Sequence, residues 1–153
     1  MTSASEPVDQ LRICTQACGG RCCRYLTVSV DAPRGHTDWD EFRWWLAHGG
    51  VMVTKDEDGW MLHVQTRCSH LRPDNMCGIY EHRMTTCSEY EAENCEFTDE
   101  VPYDVQLRSE EDLADYLEKR KLKRGAEVAE AIRAAAKVGG RGALASLQPL
   151  PTP

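Results

Sequence analysis

Long hydrophobic runs are missing from this sequence of 153 residues. Its longest apolar stretch is a few residues, far short of the roughly 18 to 20 that span a bilayer, so no membrane helix is expected. A basic segment followed by an apolar one is missing from the start as well. The first ten residues, Met-Thr-Ser-Ala-Ser-Glu-Pro-Val-Asp-Gln, are polar and acidic, which predicts no secretory leader, a cytoplasmic location and reduced thiols. Positive charge is in deficit: 18 Lys and Arg stand against 25 Asp and Glu, a net charge of −7. That balance argues against a nucleic-acid binder held by phosphate contacts. There is no internal repeat and no heptad or collagen pattern. Nor is there a Gly-rich loop between a strand and a helix to cradle a nucleotide or S-adenosylmethionine. With 41% apolar and 28% charged residues, what remains is a small globular protein.

Cysteine is what the sequence has in excess. Eight residues of 153 are cysteine, below the roughly 8 to 10% of a secreted disulfide scaffold but too clustered for ordinary buried thiols. In a reducing compartment such clusters point to metal ligation or redox chemistry before disulfides. The first group, Cys14-Thr-Gln-Ala-Cys18-Gly-Gly-Arg-Cys22-Cys23, packs four thiols into ten residues. A metal needs sulfurs converging at about 2.3 Å on one point, and Gly19-Gly20 give the backbone freedom to turn them inward. Neighbouring side chains diverge, so Cys22 and Cys23 are expected either to face different metals or to contribute only one ligand. The second group, Cys68, Cys77, Cys87 and Cys95, would be a weak signal alone. Beside the first it supplies the thiols that complete a shared or paired site, so the two groups are expected to meet in space.

Between them, Tyr25 to Val30 alternates and is rich in β-branched residues, which predicts a strand. Thr37 or Asp38 caps a predicted helix through His48, with Glu41 completing a capping box on Asp38. Val51–Thr54 and Trp60–Gln65 flank Asp58-Gly59, a hairpin signal, and the second strand runs into Cys68. Ile79–Met84 is read as one or two helical turns and 88–104 as irregular. Ser109 caps the longest helix, with three acids in its first turn and a break expected near Gly125.

These residues carry a resemblance. The segment Cys14…Cys18-Gly-Gly-Arg-Cys22-Cys23-Arg24, with Cys68-Ser-His-Leu…Met76-Cys77-Gly-Ile79-Tyr80-Glu81-His-Arg83…Cys87-Ser-Glu-Tyr90, resembles the YkgJ or CxxCxxCC cysteine-cluster family over residues 14 to 95. That resemblance implies a zinc- or iron-chelating domain. Two departures stand out. The first group is spaced three and three rather than two and two, and Met84 takes the place of a usual proline beside Cys87. A flagellin lysine N-methylase is similar to the family over its cysteine cluster, but nothing in this chain supports methyl transfer directly.

Other candidates have plainer readings. His70 and His82 lie within the second group and could replace a thiol, although eight cysteines already suffice for two four-ligand sites. His36, His48 and His63 have no such context. Trp39, Trp44, Trp45 and Trp60, with Phe42, read as core that covers the metal loops. Asp56-Glu57-Asp58 lacks the further oxygens of a calcium loop. The basic run Lys119 to Arg124 reads as a solvated helix face, with a surface for an acidic protein partner on the C-terminal helix left open.

The expected fold is α+β: a small metal-organised domain with a short antiparallel hairpin and a C-terminal helical extension. Its expected organisation is a lead-in over 1–12, a cysteine-cluster domain over 13–104, helices over 105–139 and a tail over 140–153. The expected ligands are Cys14, Cys18, Cys22, Cys23, Cys68, Cys77, Cys87 and Cys95, holding zinc, iron or an iron–sulfur cluster. Whether the chain is an enzyme, an iron–sulfur redox or methyltransferase-associated component, or an interaction module with a structural metal is left open by the residues. The helix after Ser109 has no cysteine or histidine and is expected to be dispensable for metal.

Overall fold

The hairpin forms where the Asp-Gly signal lies. In the computed structural model, which describes residues 12–89 and 103–138, β2 (Val51–Lys55) pairs antiparallel with β3 (Trp60–Gln65) in the register Val51↔Val64 to Lys55↔Trp60. Asp56 shapes the connection. Its Oδ1 accepts from the amides of Asp58 (2.9 Å) and Gly59 (3.1 Å), so this acidic turn is a structural device. β1 (Tyr25–Val30) and β4 (Val105–Leu107) complete a four-stranded sheet of order β1-β3-β2-β4. β4 pairs antiparallel with β2, Val53 opposite Leu107 and Lys55 opposite Val105. At three residues β4 is too short to register as alternation in sequence.

The helix after β1, α1, spans His36–Leu46, starting earlier than its cap signal suggested. Asp38 is not the cap: it lies inside the first turn and reaches back, its Oδ2 accepting from the amides of Arg34 (2.7 Å) and Gly35 (3.0 Å). These two donors hold its carboxyl below the usual carboxylate value. A short helix, α2 (Thr85–Ser88), carries Cys87. Ser109 caps α3 (Glu110–Lys119) as its sequence predicted, its hydroxyl accepting from the Asp112 amide at 3.1 Å. The expected break follows as a 3₁₀ turn at Lys123–Gly125, before α4 (Ala126–Val138). Gly125 is buried, and any side chain there would run into the δ-carbons of Leu117.

The described residues divide into two compact units, one of residues 12–26 and 65–89, the other of 27–64 and 103–138. The second unit holds the main core. Trp39, Phe42 and Leu46 of α1 meet Val53, Trp60, Val105 and Leu107 of the sheet, Leu113, Ala114 and Leu117 of α3, and Val128, Ala129 and Ile132 of α4. Trp39, Phe42, Trp60 and Tyr116 pack mostly edge to face with ring centres 5.3–6.0 Å apart. These aromatic rings serve as core, as expected, and that core is shared with the C-terminal helices. Arg43 Nε donates to Glu110 Oε1 at 2.9 Å, tying α1 to α3. In the same unit His63 is buried between two threonines, its Nδ1 3.1 Å from Thr27 Oγ1 and its Nε2 2.8 Å from Thr54 Oγ1. Among the described residues no helix is long and apolar enough to cross a membrane.

Candidate metal centre

All seven cysteines among the described residues belong to the other unit, and all seven are free thiols. The first group sits on two unusual turns. Ile13–Ala17 forms a widened turn closed by the Cys18 amide on the Ile13 carbonyl, five residues back, at 2.8 Å. Gly19 and Gly20 then take left-handed conformations, φ +68° and +67°, and the chain re-enters a 3₁₀ turn at Arg21–Cys23. This reversal folds the loop on itself. The Gly20 amide donates to the Cys14 carbonyl (2.9 Å) and the Cys23 amide to the Gly20 carbonyl (3.0 Å). The Arg21 amide donates to Cys18 Sγ at 3.4 Å. A Cβ on Gly20 would lie 3.2 Å from Leu71 Cδ1, so the position is constrained by contact as well as by backbone angle.

The second group is built against the first by main-chain bonds. The Cys68 amide donates to the Cys23 carbonyl at 2.7 Å and the Thr66 amide to the Arg24 carbonyl at 3.0 Å. Residues 68–78 then make a tight loop. Leu71 donates to the Cys68 carbonyl (3.1 Å), Asn75 to that of Arg72 (3.0 Å) and Gly78 to that of His70 (2.8 Å), and Leu71 bridges antiparallel to Cys77. The two cysteine segments thus meet at Cys23 and Cys68 through main-chain hydrogen bonds.

Asn75, which sequence reasoning did not single out, locks this junction. Its Oδ1 accepts from Arg24 Nη2 (2.8 Å) and its Nδ2 donates to the Thr15 carbonyl (3.2 Å). Arg24 Nε in turn donates to the Gly19 carbonyl at 3.1 Å. Asn75 has φ +62°, a left-handed conformation that asparagine accepts more readily than most residues. Before the structure, an Asn in a polar loop carries no mark of this role beyond its turn propensity.

Cys87 approaches on α2, preceded by a 3₁₀ turn at Tyr80–His82. Arg83 lies with its guanidinium 3.9 Å from the Tyr80 ring centre and donates to the Tyr80 carbonyl at 3.0 Å, so it fixes this turn. Met84 has φ −58°, the angle a proline would impose, and the turn expected from proline survives its replacement. His70 and His82 are both exposed. Cys95 lies outside the described residues.

The thiols sense one another. Cys22 is pushed up to about 12, first by desolvation of its sulfur and then by Cys23, Cys14 and Cys18. The Cys23 thiol is also raised, first by desolvation, with Cys68, Cys77 and Cys87 as its charged neighbours. Thiolate donors of this number suit zinc or iron. Among the described residues, however, no three Cys, His, Asp or Glu side chains are already disposed to hold one ion. The donor chemistry fits a metal, and finished coordination requires the sulfurs to draw together.

The described thiols of this α+β protein gather in one unit, while its main hydrophobic core belongs to the other. This chain belongs to the CxxCxxCC family, whose model, described as a "putative zinc- or iron-chelating domain", matches residues 13–104. Comparisons with curated proteins and with solved structures each give no match.

Proposed function

We propose that this protein binds zinc or iron through thiolates drawn from Cys14, Cys18, Cys22, Cys23, Cys68, Cys77, Cys87 and Cys95, and that it does so in the cytoplasm, where its thiols stay reduced. The observation that carries the reading is the junction of the two cysteine segments: Cys23 and Cys68 are joined by a 2.7 Å main-chain hydrogen bond across 44 intervening residues. Hydrophobic burial does not account for it, since among the described residues of this unit only Leu71 is a buried apolar side chain. A bound metal would supply thiolate coordination as a cross-link, in place of the core these loops lack.

Elemental analysis and absorbance of protein purified anaerobically test the proposal. Stoichiometric zinc in a colourless sample, or iron, supports it, and brown absorbance with equal iron and sulfide assigns the same thiols to an iron–sulfur cluster. Protein that carries no metal, and takes up none when zinc or ferrous iron is offered under reducing conditions, overturns it.

A further inference from the structure

We propose that the cleft between the end of β1 and α1 binds an organic cation, an alkyl ammonium or guanidinium of the kind that lysine and arginine side chains carry. Its lining lies wholly within the unit that holds the main core. The site therefore stands apart from the chelating function, and either can fail without the other.

The cleft has a volume of about 470 Å³, within the roughly 300 to 1,000 Å³ of small-molecule sites. One face of α1 supplies most of it. Asp38, Glu41, Phe42 and Trp45 are spaced i, i+3, i+4 and i+7, so carboxylates and aromatic rings are presented together. Phe42 is buried and Trp45 half-buried, with ring centres 5.0 Å apart. The opposite wall, the loop after β1, adds Asp31 and Arg34. The cleft thus carries three carboxylates against one guanidinium.

The loop wall is held in place from two sides. Asp38 Oδ2 accepts from the amides of Arg34 (2.7 Å) and Gly35 (3.0 Å), and Arg124 Nη1, from the turn before α4, donates to the Arg34 carbonyl at 2.8 Å. Asp38 is thereby spent on the helix start. Asp31 and Glu41 are not: among the described residues neither has an ion-pair or hydrogen-bond partner. Glu41 takes no part in the cap, which Asp38 forms with Gly35.

Two unpartnered carboxylates beside an aromatic wall select among ligands. An anion is repelled. A hydrated metal ion would use the carboxylates and leave the rings idle, and a neutral apolar molecule would do the reverse. An organic cation uses both, because its charge meets the carboxylates and the electron-rich face of the indole while its apolar stem lies along the rings.

Butylguanidinium, with neutral butylurea of the same shape beside it, tests the site on the full chain, read by NMR at the Trp45 indole N–H and the amides of Asp31 and Glu41. Butylguanidinium should shift these signals saturably and bind tighter than butylurea by about tenfold or more. Asp31→Asn combined with Glu41→Gln should remove that advantage, whereas Glu130→Gln, on an exposed position of α4 outside the cleft, should keep it. The peptide Gly-Gly-Arg-Gly-Gly separates the sources: tighter binding than butylguanidinium assigns the site to an arginine on a partner chain, and equal or weaker binding assigns it to a free cation. Signals that no probe moves, butylurea binding as tightly as butylguanidinium, or a doubly substituted chain that binds like the unaltered one would overturn the proposal.

Discussion

Arg24 and Asn75, 51 residues apart, are joined by a 2.8 Å hydrogen bond from guanidinium Nη2 to side-chain Oδ1. Through its other side-chain atom Asn75 also holds the carbonyl of Thr15, one residue beyond Cys14, while Arg24 follows Cys23 directly. A single side chain of the second cysteine segment therefore spans the first segment end to end. It fixes the loop that carries four thiols without using a thiol.

From this comes a first prediction. Asn75→Ala removes both grips, and loss of such supporting partners typically lowers metal affinity by about 10 to 100-fold. Asn75→Asp keeps the acceptor for Arg24 but loses the donor to Thr15, so its affinity should fall between the two. Competition against a chelator of known strength measures both, and wild-type affinity in Asn75→Ala would show that the clamp is idle.

Gly20 makes a second prediction. Its φ of +67° costs an L-residue about 1–2 kcal/mol, and an added Cβ meets Leu71 Cδ1 at 3.2 Å. Gly20→Ala should therefore destabilise the cysteine unit by at least that amount in chemical denaturation.

Met84 predicts a change in the other direction. Its φ is −58°, and the residue before it, Arg83, has φ −59° and ψ 148°, an extended conformation that tolerates a following proline. Met84→Pro should fold and be more stable by about 0.4–1 kcal/mol, through the narrowed unfolded ensemble. A denaturation midpoint lower than that of the unaltered protein would contradict this reading of the turn.

The other unit predicts a separation of effects. Leu113 is fully buried in the core of that unit, and Leu113→Ala should cost about 2–5 kcal/mol of stability. Every thiol described lies in the cysteine unit, so metal bound per chain should stay unchanged at temperatures where the variant is folded. Deleting residues 126–153 is the poorer test, because it removes Val128, Ala129 and Ile132 from the same core.

The parts of this molecule legible in its sequence are those governed by neighbouring residues. Asp58-Gly59 marks the hairpin, Ser109 the helix start and Gly125 the helix break, because each acts within a turn of itself. The approach of the two cysteine groups was legible too, from ligand counting. What stayed hidden depends on long-range contact. Asn75 reaches Thr15 and Arg24, β4 exists because β2 has a free edge, and Trp39 and Trp60 pack with Tyr116 of a helix expected to be an extension. His63 likewise owes its burial to two threonines on other strands. No local pattern encodes such pairs.

If metal held by the thiols, in place of a hydrophobic core, orders the cysteine unit, hydrogen exchange with and without metal will read that ordering amide by amide. A structural thiolate site contributes about 10–16 kcal/mol of apparent binding energy, as much as a domain's whole stability. Stripping metal under reducing conditions should thus abolish protection at the amides of Cys18, Cys23, Cys68 and Gly78, while those of β2, from Val51 to Lys55, remain protected. Protection at Cys23 and Cys68 that is unchanged after complete metal removal would contradict the account.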